Sequence, residues 1–278
     1  MSEVTPPRRH PHRRRNVILL SALGVVVIGV VVLVVLWNRQ TSRPVKVSEA
    51  IKRFHASSTT TARGPSVVRP KAGVYEYTGS GSDHIATPPK TQDEGPQMPA
   101  TVTWGKGGCW TFRIDYSTSH WQTWNYCSHN GQLDEHGGQT FQSWDFVVVK
   151  SDSTSTFTCD PPAVTIKVSM QPGDTWRQAC QGTSTAVSGV AHTAGPYRYV
   201  GTEQLTIGGK SVDALRFHQE RTMSGSQTGT QVSELWFARD GLPLRNERKI
   251  SVDTSSPIGT ITYTEDANFA LASLTPHA

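Results

Sequence analysis

A long apolar run near the amino terminus constrains this chain more than any other feature. Val17 to Trp37 comprises 21 uncharged residues, and only Ser21, Gly24 and Gly29 interrupt its apolar side chains. A helix of that length spans about 31 Å, which matches the hydrocarbon thickness of a bilayer. The alternative is a cleaved signal peptide, but the run is longer than a signal core and is followed by no Ala-x-Ala site. We therefore predict a retained transmembrane helix over residues 17–37.

The formal charge of +5 is concentrated before this span. Residues 1–16 contain five arginines and one glutamate, so they carry +4 of the total, and the rest of the chain is nearly neutral. Basic residues mark the cytoplasmic side of a membrane helix. We therefore predict a single-pass protein of the cell membrane, with a cytoplasmic tail over 1–16 and everything after the span outside. The tail then reports orientation, and nucleic acid is not a predicted partner.

The external part is predicted to comprise a stalk over residues 38–72 and a β domain over residues 73–278. Val47 to Ala56 has apolar residues at helical spacing, and Ser57 to Lys71 has the composition of a flexible tether. Beyond residue 72, short runs rich in Tyr, Trp, Thr, Val and Ile alternate with turn-forming clusters. The proline-rich stretch Ala86 to Ala100 is predicted to be a loop within this domain.

Two reversals later in the chain indicate antiparallel pairing. Leu215 and Phe217 alternate with polar residues before a Gly225–Gly229 turn, and Leu235 with Phe237 follows it. Asp240-Gly241 marks a second reversal. The domain is therefore predicted to be all-β, either an antiparallel meander or a curved half-barrel, with one face buried and one in water.

Four cysteines lie in the external part, at Cys109, Cys127, Cys159 and Cys180. An even number in an oxidising compartment favours disulfides, and the lack of C-x-x-C spacing argues against a zinc or thioredoxin-type site. Three connectivities are open. Pairing between sequence neighbours is favoured by the hairpin that the intervening residues predict.

The segment from Cys109 to Cys127 is predicted to be a β-hairpin around Ser117-Thr118-Ser119. In this register the two cysteines lie directly opposite each other, where a disulfide fits. The side chains of one face are polar apart from Trp121 and the cysteines. The other face is apolar and comprises Trp110, Phe112, Ile114, Tyr116, Trp124 and Tyr126.

Aromatic side chains of this hairpin are the candidates for a ligand or partner surface. Trp110, Trp124 and Tyr126 would form a sugar platform or line a lipid cavity, and the alternative, favoured for this face, is that it packs the core. Trp121 falls on the polar face. It is expected either to cover the disulfide or to be exposed for a partner.

Three histidines and two acids between residues 120 and 136 raise the question of a metal site. Their spacing matches no metal motif, and the glycines among them indicate a solvated loop. The residues are His120, His129, Asp134, Glu135 and His136. G-x-S-x-G, P-loop, H-E-x-x-H and dinucleotide motifs do not occur. We therefore predict no catalytic residue, no metal and no cofactor.

Several segments carry a resemblance to known proteins. The valine-rich span, the helix VSEAIKRFHA, the G-x-Y-x-Y-x-G segments at Gly73 and Gly195, and Gly201-Thr202-Glu203 resemble uncharacterised membrane-anchored actinobacterial proteins. The strand that ends in Trp236, with the D-G-L-P turn after it, is also similar to LolA/LppX-type lipoprotein carriers and RseB-like sensors. That resemblance implies a curved half-barrel that holds acyl chains or senses envelope lipoproteins. It transfers no ligand residue, and the retained anchor and the disulfides depart from the carriers.

Together these features predict a membrane-anchored, non-enzymatic binding module outside the cell membrane. Its expected partners are the bilayer and either an apolar envelope ligand or an envelope protein, and its oligomeric state stays open. The alternative is a cell-envelope hydrolase or glycan-processing protein, because paired carboxylates leave little local signature in a sequence. A cavity lined by the even-numbered aromatic side chains would favour an apolar ligand, and a packed interior would exclude it. Two carboxyl groups about 5–10 Å apart in a cleft would favour the second.

Overall fold

The computed structural model describes residues 34, 37, 39–40, 42–57, 69–146, 150–256 and 259–277. The chain divides into two compact units, Met1–Arg39 and Gln40–Ala278. The basic tail and all of the predicted span except Val34 and Trp37 fall outside the described residues, so both remain predictions. Within the described part of the chain, no helix has the length and apolarity to cross a membrane.

In its described residues, the second unit consists of one helix and a succession of antiparallel strands. The helix is α1 (Val47–Ser57). The strands are β1 (Arg39–Gln40), which runs from the first unit into the second, β2 (Gly73–Tyr75), β3 (Tyr77–Ala86), β4 (Pro89–Glu94), β5 (Ala100–Trp104), β6 (Cys109–Asp115), β7 (His120–His129), β8 (Gln132–Asp145), β9 (Lys150–Ile166), β10 (Thr175–Ser184), β11 (Val187–Ile207), β12 (Lys210–Gly225), β13 (Gln227–Phe237), β14 (Pro243–Ser256) and β15 (Gly259–Leu271).

These strands form one antiparallel sheet that curls into a half-barrel. Within the second unit the strand order is β4-β3-β15-β14-β13-β12-β11-β10-β9-β8-β7-β6-β5-β2. From β5 to β15 every strand pairs with its neighbours in sequence, which is a meander. The predicted all-β, antiparallel, curved half-barrel is therefore confirmed.

Glu76 connects two strands that pair near opposite edges of this sheet. Only that residue separates β2 from β3, yet β2 pairs with β5 at one edge and β3 pairs with β15 near the other. Two residues of extended chain cover about 7 Å, so the two edges must approach each other at this point. Backbone hydrogen bonds from Met98 N to Tyr77 O and from Gly95 N to Tyr116 O tie the edges together further along. The sheet curls because the chain connects its edges.

Antiparallel connectivity places the turns at two ends of the half-barrel. The turns after β5, β7, β9, β11 and β13 lie at one end, together with most of the hydrophobic core. The turns after β3, β6, β8, β10, β12 and β14 lie at the other end. We call these the closed end and the open end.

The predicted hairpin and both disulfides are confirmed. In the β6–β7 ladder Trp110 faces Tyr126, and Cys109 faces Cys127 with their Cα atoms 3.9 Å apart. The second disulfide joins Cys159 to Cys180. The later reversals are also as predicted, because Leu215 pairs with Phe237, and the turn after β13 contains Gly241.

Two predicted loops are strands, and both predictions were wrong. Residues 89–94 form β4, which pairs with β3, because the prolines that suggested a loop lie outside it or at its first position. Residues 132–145 form β8, and only Asn130 and Gly131 make a turn. Gly137 has φ +115° at an irregularity of the β8–β9 pairing, and a Cβ on Gly138 would lie 1.9 Å from the carbonyl oxygen of Thr123. These glycines permit a bulge and close strand contact.

The segment predicted as a stalk contributes to the compact unit. Helix α1 contacts β2 and β5, Ala50 is fully buried, and Arg53 forms an ion pair with Asp115. The helix extends over the predicted residues, Val47 to Ala56, and over Ser57 as well. The compact unit that contains the strands begins at Gln40 and so includes α1, because the apolar face of this helix packs against β2 and β5. The boundary of the β domain at residue 73 stays a prediction.

Candidate functional site

The closed end of the half-barrel is filled by aromatic side chains. Tyr77 lies 5.8 Å from Phe112 and 5.5 Å from Phe269 between ring centroids, and Tyr197 stacks on Phe217 at 5.0 Å. The largest fully buried side chains include Trp110, Tyr75, Tyr77, Tyr116, Tyr197, Phe112, Phe217 and Phe237. The packing prediction for the apolar hairpin face is therefore confirmed for all of its residues except Trp124. These side chains belong to the hydrophobic core of the half-barrel.

Toward the open end the same concave face encloses a cavity of about 880 Å³. Every second residue of the long strands lines it, as the period of two in a strand requires. Thus β12 contributes Gln219, Arg221 and Met223, and β14 contributes Asn246, Arg248, Ile250, Val252 and Thr254. Because the cavity wall is assembled from alternate residues of eight or more strands, no short sequence motif indicates the cavity.

The inner part of the cavity wall is polar and charged. Arg221 donates to Glu135 at 3.2 Å and to Gln178 at 3.0 Å. Arg248 forms an ion pair with Glu265 and donates to Gln122, which lies on the facing strand β7. We call the residues that line this region the polar belt: Gln122, Glu135, Gln219, Arg221, Asn246, Arg248, Tyr263 and Glu265. Its two carboxylates are each paired with an arginine, so the belt is electrically balanced.

The outer part of the wall, near the open end, is richer in apolar side chains. They lie close to the turns after β3, β8, β10, β12 and β14. We call this set the apolar rim: Ile85, Trp144, Val187, Met223, Ile250, Val252 and Ile261. The charged side chains that line the cavity thus lie in its inner part, and serine and threonine side chains lie between the apolar residues of the rim.

A buried cluster of three titratable side chains lies next to the polar belt. His120 Nδ1 is 3.0 Å from Asp83 Oδ2 and 2.5 Å from Glu94 Oε1, and the side chains of all three residues are fully buried. The hydroxyl oxygen of Tyr263, which lines the cavity, lies 2.8 Å from Asp83 Oδ1. We call Asp83, Glu94 and His120 the buried triad. It joins β3 and β4 to β7 across the seam where the sheet edges meet.

The environment of the buried triad shifts the pKa values of its members in different directions. Burial raises the pKa of Glu94, and the charge of Asp83 adds to this, to about 7. Burial alone would lower the pKa of His120, but the two carboxylates outweigh it and raise that pKa well above its ordinary value. Burial opposes ionisation of Asp83 as well, yet the imidazolium of His120 lowers the pKa of its carboxyl. Asp83 is therefore the ionised carboxylate and His120 the cation.

Two groups of side chains have donor atoms close enough to share an ion. The donor atoms of the buried triad lie within 4.8 Å of one another. Glu135, Cys159 and Cys180 also converge, but both sulfur atoms are consumed in a disulfide and cannot act as thiolates. Only the buried triad therefore has the chemistry of a metal site among the described residues.

The aromatic residues singled out from the sequence lie in three different places. Trp110 is packed in the core at the closed end. Trp124 and Tyr126 line the cavity. Trp121 lies on the outer face, where it stacks on Phe141 with ring centroids 5.6 Å apart and lies under the guanidinium of Arg113. It pairs with Asp115 at the opposite end of the hairpin from Cys109–Cys127, so its predicted place beside that disulfide was wrong.

The predicted solvated loop of histidines and acids was also wrong, because its members lie on strands and several are buried. Asp134 and Glu135 are buried on β8, and His129 is an exposed partner of Asp134 at 3.2 Å. His120 is separated from this group and pairs with Asp83 and Glu94 instead. No signal in the sequence indicates these partners. The inward side chains of β4, Lys90, Gln92 and Glu94, are all polar, so no apolar alternation marks this strand.

Comparisons with known proteins add little to this description. No family model and no curated protein matches the chain. Among solved structures it is similar to the hypothetical lipoprotein YmcC from Escherichia coli K12, with a TM-score of 0.33 and 11% sequence identity over 81% of this chain and 97% of that chain. A likeness at this level assigns neither a family nor a function.

Proposed function

We propose that this protein is a membrane-anchored binding module that holds an amphiphilic envelope molecule in the cavity of its half-barrel. The observation that carries the proposal is the cavity of about 880 Å³ on the concave face, which the aromatic core leaves open. Ligand pockets of proteins are commonly about 300–1,000 Å³ and combine an apolar lining with a few placed polar groups. Both properties hold here.

The gradient of polarity along the cavity indicates the chemistry of the ligand. Its polar part would contact amides and hydroxyls of the polar belt, such as Gln219, Asn246 and Tyr263. Its apolar part would lie against the rim, for example against Met223 and Ile250. Because both carboxylates of the belt are already paired with arginines, the wall offers no unbalanced charge to an ionic headgroup. We therefore propose an uncharged polar head on an apolar body, with no catalytic step.

The alternative hydrolase function stays a prediction. Glycoside hydrolysis needs two carboxyl groups that reach the scissile bond. The cavity carboxylates Glu135 and Glu265 are held by Arg221 and Arg248, and Asp83 and Glu94 are fully buried behind the cavity wall. Neither pair gives the hydrolase a specific observation in its favour.

Filling the cavity should abolish ligand retention. In the double variant Met223→Trp with Ile250→Trp, two indoles would occupy the space at the rim and exclude an apolar chain. We expect the full chain, purified from the native host, to retain at least roughly tenfold less bound lipid, a loss of about 1.4 kcal/mol or more in binding free energy. The measurement is quantitative mass spectrometry of the molecules extracted from each purified variant.

The matched control places the same two side chains on the outside. Ser224 and Ser251 are the exposed neighbours of Met223 and Ile250 on the same strands, so Ser224→Trp with Ser251→Trp adds indoles without entering the cavity. This control reports any lipid that adheres to the membrane segment or to surface tryptophan. Equal lipid recovery from the two double variants would overturn the proposed function.

The proposed location has its own test. We expect the chain to stay in the membrane fraction after an alkaline wash, because the 17–37 run would span the bilayer. A tag at the carboxyl terminus should be cleaved by protease added to intact cells stripped of their wall, and a tag at the amino terminus should be protected. Release by the alkaline wash, or the opposite protection pattern, would contradict the anchor or its orientation.

A further inference from the structure

One hydrogen-bond donor serves two carboxylates in the buried triad. Nδ1 of His120 can carry one proton, yet Asp83 Oδ2 and Glu94 Oε1 both lie within hydrogen-bond distance of it. Asp83 has other donors, because Gln92 Nε2 donates to Oδ2 at 3.0 Å and Tyr263 lies 2.8 Å from Oδ1. When Glu94 is ionised, its carboxylate depends on the shared proton, and one imidazolium cannot satisfy both carboxylates. Burial and the charge of Asp83 raise the pKa of Glu94 to about 7, so near neutral pH part of the molecules carry a proton on Glu94 itself.

Further polar atoms at the same place lack a partner among the described residues. They are Oε2 of Glu94 and Oε1 of Gln92, and both side chains are at least nine-tenths buried. As a ligand of a cation, the amide of Gln92 would have to turn over. Its nitrogen would then no longer donate to Asp83, and its oxygen would lie 3.0 Å from Asp83 Oδ2. Two oxygens at that separation are spaced as ligands of one ion. Unpartnered buried oxygens are costly unless something positive satisfies them.

The net charge of the buried triad also favours a bound cation. With Glu94 ionised, the two carboxylates and the imidazolium carry one negative charge, and the neighbouring Arg248–Glu265 pair is neutral in itself. With Glu94 protonated the triad is neutral, and a bound cation would displace that proton as well as the one on Nδ1. A divalent cation in place of the Nδ1 proton would make the three side chains and the ion neutral together. Nε2 of His120 is without a partner in the described part of the chain, so on the imidazole ring only Nδ1 would exchange its proton for the ion.

We propose that the buried triad is a binding site for a divalent transition-metal cation of the Zn²⁺ type. The ion would be held by His120 Nδ1, Asp83 Oδ2 and the carboxylate of Glu94, with the amide oxygen of Gln92 as a further ligand. An imidazole nitrogen with two carboxylates is a donor set that zinc accepts, whereas Ca²⁺ requires six to eight oxygens. This reverses the prediction of no metal site, and it does not depend on the proposed ligand of the cavity.

The position of the site indicates from which side the ion would enter and which strands it would hold together. Tyr263 and Glu265 separate the triad from the cavity, and both line its wall, so an ion would enter from that side. The triad joins β3 and β4 to β7 across the seam of the sheet. Bound metal would therefore act as a clamp that holds the two sheet edges together, and binding energy would appear as stability of the fold.

The test uses the full chain in detergent after removal of metals with a chelator. We expect elemental analysis to find one Zn²⁺ per chain after dialysis against Zn²⁺. After dialysis against Ca²⁺ we expect no bound Ca²⁺. At a hundredfold excess over its dissociation constant, the ion should raise Tm by roughly 5–10 °C. No bound Zn²⁺ and no change in Tm for the native chain would overturn the proposal.

Two variants separate binding from folding. Glu94→Gln removes the excess charge and a ligand, so the metal-free variant should melt no lower than the native chain, yet its affinity for Zn²⁺ should fall at least tenfold. A purely structural triad would give the opposite result, with a lower Tm and no response of the native chain to Zn²⁺. His129→Gln removes an exposed histidine that pairs with Asp134 elsewhere. It should bind Zn²⁺ as the native chain does, and loss of binding there would assign the ion to the surface and overturn the site.

Discussion

Arg248→Leu is expected to lower the free energy of unfolding by roughly 3–5 kcal/mol, because it leaves a buried carboxylate without its partner. The guanidinium and the Glu265 carboxylate are each 3% exposed and form an ion pair. Burial opposes the charge of the arginine, yet Glu265 and its other neighbours raise its pKa. The same guanidinium bonds Gln122 on β7 and lies 5.2 Å from the ring of Tyr116. Chemical denaturation of the full chain in detergent, followed by tryptophan fluorescence, measures the loss.

A second variant distinguishes the cost of a lone charge from the value of the pair. Arg248→Leu with Glu265→Leu removes both charges, so most of the lost stability should return. Arg245→Leu is the surface control, since Arg245 and Glu247 on the same strand are 42% and 43% exposed, and its cost should stay below about 1 kcal/mol. If Arg248→Leu lowered the free energy of unfolding no more than Arg245→Leu does, the Arg248–Glu265 pair would not hold β14 to the facing strands.

The sequence predicted the local architecture of this domain because local architecture rests on alternation and turn chemistry. The β6–β7 register followed from two features that agree, the parity of Trp110, Phe112 and Ile114 and the opposition of Cys109 and Cys127. The turns near Gly225 and Gly241 followed from glycine at positions where the chain must reverse. Pairing between sequence neighbours, which is most of this sheet, lies within reach of such patterns.

The site was out of reach because it depends on contacts between distant strands. His120 meets Asp83 and Glu94 only because Glu76 brings the edges of the sheet together, and no pattern in residues 73–86 indicates that one strand divides its pairing between two edges. The polar belt likewise forms from one or two residues each of β7, β8, β12, β14 and β15. Prolines suggested a loop over residues 86–100, and glycines suggested one over residues 129–138. Both predictions were wrong because proline also occurs at the first position of a strand and glycine at a β-bulge.

Removal of the Cys159–Cys180 disulfide is expected to cost about 3 kcal/mol of unfolding free energy. The bond closes a loop of 21 residues in sequence separation, and loop-closure entropy for a loop of that size amounts to about 3 kcal/mol. The bond also stands where the β9–β10 ladder ends. That ladder contains four residue pairs, from Gln181–Thr158 to Ser184–Ser155. On its far side, only side chains bridge the two strands in the described hydrogen bonds, from Trp176 and Gln178 to the carbonyl of Val164.

The paired variant Cys159→Ala with Cys180→Ala should therefore open the half-barrel between β9 and β10 as well as lower its stability. Cys109→Ala with Cys127→Ala is the matched control. Its loop spans 18 residues, so the loss of unfolding free energy should be similar, but β6 and β7 keep a seven-pair ladder. Hydrogen exchange measured by mass spectrometry should rise in residues 155–166 and 175–184 of the first variant, and should rise far less at β6 and β7 in the second. Equal exchange in both hairpins would show that the β9–β10 junction is held by its backbone pairs and the Trp176 contact, and that the disulfide does not close the wall of the cavity.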